Sequence, residues 1–263
     1  MFAVGGGVIK LATSQSVTID GLVDANGEDA LNKSSGGGSG GSIWILSKVF
    51  KGNGVIRASG GSGLFFESGG GGGGRISIAF ENRTFSGKIN VFGGASNKTA
   101  GGAGSLYLHN KYTDFKQLIV DNNNIGSPLT DDITDVSNDG GRTWLTPEPN
   151  TIEMSFDEVD IRGQSQLAVL TTPPDSPFRW NIGGIRGDRS GILHVRANQK
   201  MHMTISDNEG KQPQLLWGVN VYPRGDLKLP HNLVVDGIKI ITAGSLSGAQ
   251  NVTVGNNGRL ILR

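Results

Sequence analysis

Glycine held in register is the feature that most constrains this chain. Four segments open on closely spaced glycines and run into an apolar stretch: GGGVIKL from Gly5, GGSIWIL from Gly40, GGRISIAF from Gly73 and GGAGSLYL from Gly101. Their first apolar residues, Val8, Ile43, Ile76 and Leu106, lie 35, 33 and 30 residues apart. A second marker, Gly21, Gly54 and Gly87, keeps steps of 33 and 33. A flexible glycine-serine linker has no reason to hold two independent markers to one period. A stack of repeated units does.

Each unit carries two short alternating stretches. Ile43, Ile45 and Val49 are expected on one side, with Trp44 and Leu46 on the other, and Ile76, Ile78 and Phe80 repeat the pattern. Alternation of β-branched residues between glycines signals strands. Glycine density disfavours helix, and no 3.6-residue apolar period competes. The expected fold is therefore all-β: a β-solenoid, in the form of a parallel β-helix with glycine-rich turns and the right-handed sense that parallel crossovers favour. The runs at 36–41 and 69–74 are expected as turn or loop segments held by the units above and below. Of 43 glycines, 27 fall between Gly5 and Gly104. Each ordered one costs about 0.5–1 kcal/mol of backbone entropy relative to alanine in regular structure, so stacked hydrogen bonds and Ile/Val/Phe/Leu ladders must exceed that sum.

The repeat fades after Leu108. The chain is expected to divide into glycine-rich repeat coils of about 33 residues over 1–115, an irregular segment over 116–177, and further β-helix-like coils, shorter and less regular, over 178–263. Within the middle segment, SNDGGRTW at 137–144 resembles the Asp-box of sialidases and other β-propeller proteins. In such proteins the box is a structural hairpin away from the catalytic centre, and here it occurs once, so it implies a folded turn rather than glycan cleavage.

Chemistry-bearing patterns are sparse. Asp121, Asp131, Asp132, Asp135 and Asp139, among Asn122–Asn124 and Asn138, make an oxygen-rich loop of a kind that can hold Ca²⁺, although the spacing is not that of an EF-hand. Asp131, Asp132, Asp135 and Asp139 are the metal candidates, and a solvated loop is the simpler reading. The four histidines, His109, His194, His202 and His231, form no zinc-binding spacing. The one GxSxG string, GGSGG at 37–41, is part of a glycine run and carries no nucleophile-elbow signal, and no phosphate-binding glycine loop occurs. Of the pectinase-like signature on β-helices, only Asp131-Asp132 has a counterpart. Asp157, Glu158 and Asp160 in FDEVD are the one candidate carboxylate set for glycoside hydrolysis. Trp44, Phe65 and Phe66 are candidate contacts for sugar or protein, set against internal stacking. Asn32, Asn82, Asn97 and Asn251 stand in glycosylation sequons.

The net charge is +1, from 24 basic and 23 acidic residues, with no basic stripe, which removes the electrostatic argument for nucleic acid. There is no cysteine, so neither disulfides nor thiol chemistry is available. No apolar run is long enough to span a membrane as a helix. Residues 1–20 lack a signal-peptide pattern, and both ends read as cut from something longer.

Taken in order, GGGSGGSIWI, GNGVIRASGG, GGGGGGRI and GGAGSLYL over residues 5–108 resemble a glycine-rich tract of very large secreted or cell-surface proteins. The resemblance implies an extracellular β-rich module with no catalytic residues to carry over. The expected function is a non-enzymatic structural or adhesive module of a larger surface protein, without cofactor, whose partners are other domains of the parent chain and carbohydrate or surface proteins. The alternative is a polysaccharide lyase or glycoside hydrolase on a β-helix, which requires acidic side chains converging from neighbouring units.

Overall fold

The structure, a computed structural model, describes residues 2–33, 35–125, 141–170, 177–195, 199–203, 214–223, 225–229, 231–236, 239–242 and 244–262. Among the described residues it is all-β, with mostly parallel strands and no helix. Contacts divide it into two compact units, Met1–Thr143 with Gly163–Ser165, and Trp144–Arg162 with Gln166–Arg263.

The first unit repeats a three-strand pattern. The first repeat holds β1 (Val8–Ala12), β2 (Ser16–Thr18) and β3 (Leu22–Asp24). The second holds β4 (Ser42–Leu46), β5 (Val49–Lys51) and β6 (Val55–Arg57). The third holds β7 (Arg75–Phe80), β8 (Asn82–Arg83) and β9 (Lys88–Asn90). β10 (Ser105–Asn110) opens a fourth, and β11 (Phe115–Asp121) returns antiparallel to it, pairing Leu106 with Ile119. Three parallel ladders result: β1–β4–β7–β10, β2–β5–β8 and β3–β6–β9.

Register corrects two details of the sequence reading. Val8 pairs with Ser42, so Ile9, not Val8, is the partner of Ile43. Val8 faces solvent at 82% exposure. A one-residue slip in a strand moves every side chain to the other face, and only the Ile9 alignment puts apolar groups inward. Likewise Phe50, not Val49, is the buried residue of β5. The chain bends at Ser47–Lys48 between β4 and β5, which resets the alternation begun at Ile43. The second stretch of each unit also splits in two: at Gly52, with φ +115°, the chain turns between β5 and β6.

Inward positions form continuous columns. Ile9, Ile43, Ile76 and Leu106 make one, and Leu11, Ile45, Ile78 and Leu108 another. Phe50 stacks on Phe85 with ring centroids 4.6 Å apart. Each fully buried side chain of this size contributes roughly 1.5–3 kcal/mol.

The glycine runs are neither turns nor excursions. They are extended segments packed against one another with no side chains between. Gly37 and Gly40 donate to the Gly69 and Gly72 carbonyls of the next repeat, whereas Gly38 and Gly41 donate to Glu28 and Ala25. The next run does the same: Gly70 and Gly73 donate to Thr99 and Gly102, and Gly71 and Gly74 to Gly61 and Ala58. Burial keeps the same period, at Ser35, Gly38 and Gly41, then at Ser68, Gly71 and Gly74. Three residues per turn is the repeat of the polyproline II helix, whose peptide groups have no internal partner. Here neighbouring segments supply those partners. The approach is too close for a side chain: a Cβ on Gly41, Gly74 or Gly104 would collide with the carbonyl of Gly7, Gly41 or Gly74.

β12 (Arg142–Leu145) spans the division between the units. The second unit holds β13 (Glu153–Arg162), β14 (Gln166–Val169), β15 (Phe178–Val195), β16 (Gln199–Met203), β17 (Gln214–Pro223), β18 (Asp226–Lys228), β19 (Asn232–Asp236), β20 (Lys239–Thr242), β21 (Leu246–Ser247), β22 (Asn251–Val254) and β23 (Arg259–Leu262). Its ladders are parallel too, but the step shortens. Glu153 pairs with Arg179, and Asn232 with Asn251. Trp180, Ile182, Leu193, Val219, Leu227, Val235 and Ile240 are at most 1% exposed and form its interior.

Candidate functional site

The outermost loops of the first unit stand at the ends of paired glycine segments, and each is tied by a serine. Ser35 Oγ accepts the N–H groups of Leu31 and Asn32, both at 3.1 Å. Ser68 Oγ accepts from Phe65 N–H at 2.9 Å and donates to the Phe65 carbonyl at 2.8 Å. Ser96 Oγ donates to the Ser68 carbonyl at 2.7 Å, which holds the third loop beside the second. The second loop presents Leu64 and Phe66 at 62% and 83% exposure. Phe65 is half-buried. The two phenylalanines therefore differ: Phe66 is presented to solvent, and Phe65 is partly packed.

Trp44 lies elsewhere. It sits on the outward face of the first ladder between Lys10 and Ser77. Lys10 Nζ stands 4.5 Å from the centroid of its ring, a cation–π contact that already occupies part of the indole. The 36–41 run separates β4 from the loops by six extended residues, roughly 18 Å at about 3.1 Å per residue. Trp44 and the phenylalanines do not form one site.

Polar side chains of the first unit serve the stacking. Asp20 Oδ1 accepts from Asn53 N–H at 3.1 Å, Asn26 Oδ1 from Ser59 N–H at 2.7 Å, and Asp29 Oδ1 from Ser62 N–H at 2.6 Å, each across 33 residues. Asp24 pairs with Arg57 at 2.7 Å across the same step. That guanidinium holds the Asp24 carboxyl below its ordinary range, against a smaller opposing effect of burial. On β10 and the following turn, Asp114 accepts from His109 and Lys116 at 2.7 and 3.0 Å, and these bonds, His109 first, lower its pKa.

Two of the FDEVD carboxylates, Glu158 and Asp160, are tied to arginines, and Asp157 is exposed. Glu158 meets Arg186 at 2.7 Å, while the largely buried Asp160 lies 3.9 Å from Arg186 and 3.7 Å from Arg162. Both carboxylates come from a single strand, so this is an ion-pair network rather than a pair facing each other across a groove. His194 Nε2 lies 3.1 Å from Gln166 Oε1. Asp131, Asp132, Asp135 and Asp139 lie outside the described residues, as does the first half of the Asp-box-like motif, 137–140. Of that motif, Gly141 takes φ +92°, and Thr143 is buried, its Oγ1 donating to the Ala103 carbonyl at 2.7 Å. Among the described residues no group of three or more His, Cys, Asp or Glu could hold a metal ion. No described helix is long and apolar enough to cross a membrane.

Asn122 is the structural residue that sequence reasoning assigned to the wrong setting. It is 1% exposed and inserted among the glycine segments. The run DNNN at 121–124 reads as a solvated loop, and nothing local marks one of its asparagines as interior. Comparison with known proteins gives no match: no family model, curated protein or solved structure is similar to this chain.

Proposed function

We propose that the chain is a non-enzymatic structural and adhesive module of a larger extracellular or cell-surface protein, built as a right-handed β-solenoid. The observation that carries the reading is the step of 33 residues shared by all three ladders of the first unit between its second and third repeats, with side-chain staples of the same span between the first and second. Stacking of this kind gives a stiff body whose chemistry lies in what its loops display. The display here is Leu64 and Phe66, apolar and solvent-facing on serine-tied loops, with protein or carbohydrate as the ligand. Extracellular placement rests on the resemblance of residues 5–108 to glycine-rich surface tracts. Glu158 and Asp160, paired with Arg186 and Arg162 on one strand, give the enzymatic alternative no support.

The solenoid is tested by removing one repeat. Ser42 and Arg75 are register partners, so deletion of residues 42–74 joins Gly41 to Arg75 and brings β7 onto β1. A solenoid gives a soluble, cooperatively unfolding β-protein of lower stability. An aggregated or unfolded product overturns the reading. The adhesive role is tested by glycan-array and cell-surface binding of wild type and Phe66→Ser. Binding that the substitution abolishes supports it, and release of reducing ends from any polysaccharide by the wild-type chain replaces it with the enzymatic alternative.

A further inference from the structure

We infer that Asn97 is an N-glycan acceptor, an inference that rests on the extracellular reading above. Four asparagines stand in Asn-x-Ser/Thr sequons, and backbone setting rather than exposure separates them, residues 82–84 and 251–253 being exposed as well. Asn251 is committed to a ladder: its Nδ2 donates to Asn232 Oδ1 at 2.8 Å and its N–H to the His231 carbonyl at 2.9 Å. Asn82 lies in β8, where its N–H and that of Thr84 are bound to the Lys48 and Phe50 carbonyls, both at 2.9 Å. Asn32 is half-buried in the first loop. Asn97, Lys98 and Thr99 are all exposed at the tip of the third loop.

The backbone of that tip is shaped from below. Ser96 Oγ accepts the N–H groups of Lys98 and Thr99 at 2.9 and 3.2 Å, so the serine holds the turn while the Asn97 carboxamide and Thr99 hydroxyl face outward. A sequon on an exposed turn is the geometry a glycan acceptor requires. The donor class is a lipid-pyrophosphate-linked oligosaccharide. Nδ2 attacks the anomeric carbon, the new C–N bond forms as the C–O bond to pyrophosphate breaks, and the bonding pair leaves with the lipid pyrophosphate. One Nδ2 proton passes to a base of the transferring enzyme, and no oxidant or reductant enters. The glycan would stand beside Leu64 and Phe66, because the third loop is tied to the second through Ser96 and Ser68.

The test is expression of the full chain behind a cleavable secretory leader in a eukaryotic cell, followed by peptide N-glycosidase digestion and glycopeptide mass spectrometry. Asn97 is expected to carry glycan in most molecules. Asn97→Gln and Thr99→Ala should each remove one mobility step, and Asn251→Gln none. An unchanged mobility ladder in Asn97→Gln, with the leader cleaved, overturns the proposal. Glycan on the leader-directed chain but none on protein taken from its native cells would uphold the acceptor and overturn the extracellular reading instead.

Discussion

The side-chain carbonyl of Asn122 accepts the N–H of Gly93 at 2.7 Å, where the repeat would place a peptide carbonyl. The equivalent glycines one and two repeats earlier, Gly60 and Gly27, donate to the Phe92 and Ser59 backbone carbonyls. Asn122 Nδ2 also donates to the Gly101 carbonyl at 3.1 Å. A carboxamide carries the same donor and acceptor as a peptide group, so Asn122 closes the glycine stack where the next repeat is missing.

Replacing that carboxamide should therefore destabilise the first unit sharply. Asn122→Ala leaves the Gly93 N–H and Gly101 carbonyl buried and unpaired, a loss of about 2–6 kcal/mol at about 1–3 kcal/mol per group, measured by urea denaturation. Asn122→Asp adds a pH signature. Its carboxylate faces the Gly101 carbonyl, so the fold favours the protonated form and raises the folded-state pKa. The stability of this variant should be highest below the unfolded aspartate value of about 3.9 and fall as pH rises through the raised folded value. A pH-independent difference from wild type would refute the peptide-mimic role.

Glycines of one run should differ in tolerance. Gly74→Ala drives a Cβ into the Gly41 carbonyl, and backbone cannot yield as a flexible side chain can. A loss of at least about 3 kcal/mol, or failure to fold, is expected. Gly72→Ala meets nothing nearby and its φ is not left-handed. It should be neutral, or stabilising by about 0.4–1 kcal/mol through the unfolded chain. Equal effects, read from thermal melts, would mean that the runs are not packed as described.

The Asp24–Arg57 pair should give a small acid-side dependence. Arg57 lowers the folded-state pKa of Asp24, so its contribution is present above the unfolded value of about 3.9 and is lost as pH falls through the lowered one. The side chains of Arg57 and Asp24 are 40% and 36% exposed, and solvent screening keeps the effect below about 1 kcal/mol. Asp24→Asn should flatten this part of the stability profile, and salt should weaken it in the wild type.

Ser68 should matter more to its loop than to the whole. It is 2% exposed, and its hydroxyl serves both the N–H and the carbonyl of Phe65. Ser68→Ala should cost about 1–2 kcal/mol and speed amide exchange at Phe65 and Phe66, while exchange in β4 and β7 stays slow. Uniform acceleration would mean that the loop is not separately tied.

Period and composition were enough to determine the strand class, the step of 33 residues and most of the inward residues, because alternation and glycine placement are local properties of the chain. The Ile43/Ile45 and Ile76/Ile78 faces were legible for that reason. What needed the tertiary structure was every choice between neighbours in space: the one-residue slip that turns Val8 outward, the bend that buries Phe50 in place of Val49, and the Lys10 contact on Trp44. The glycine runs are the sharpest instance. A chain of glycines specifies no conformation of its own, since it has no Cβ to restrict φ and ψ. Only hydrogen bonds from adjacent segments, repeated every third residue and closed at the end by Asn122, make those runs a packed interior.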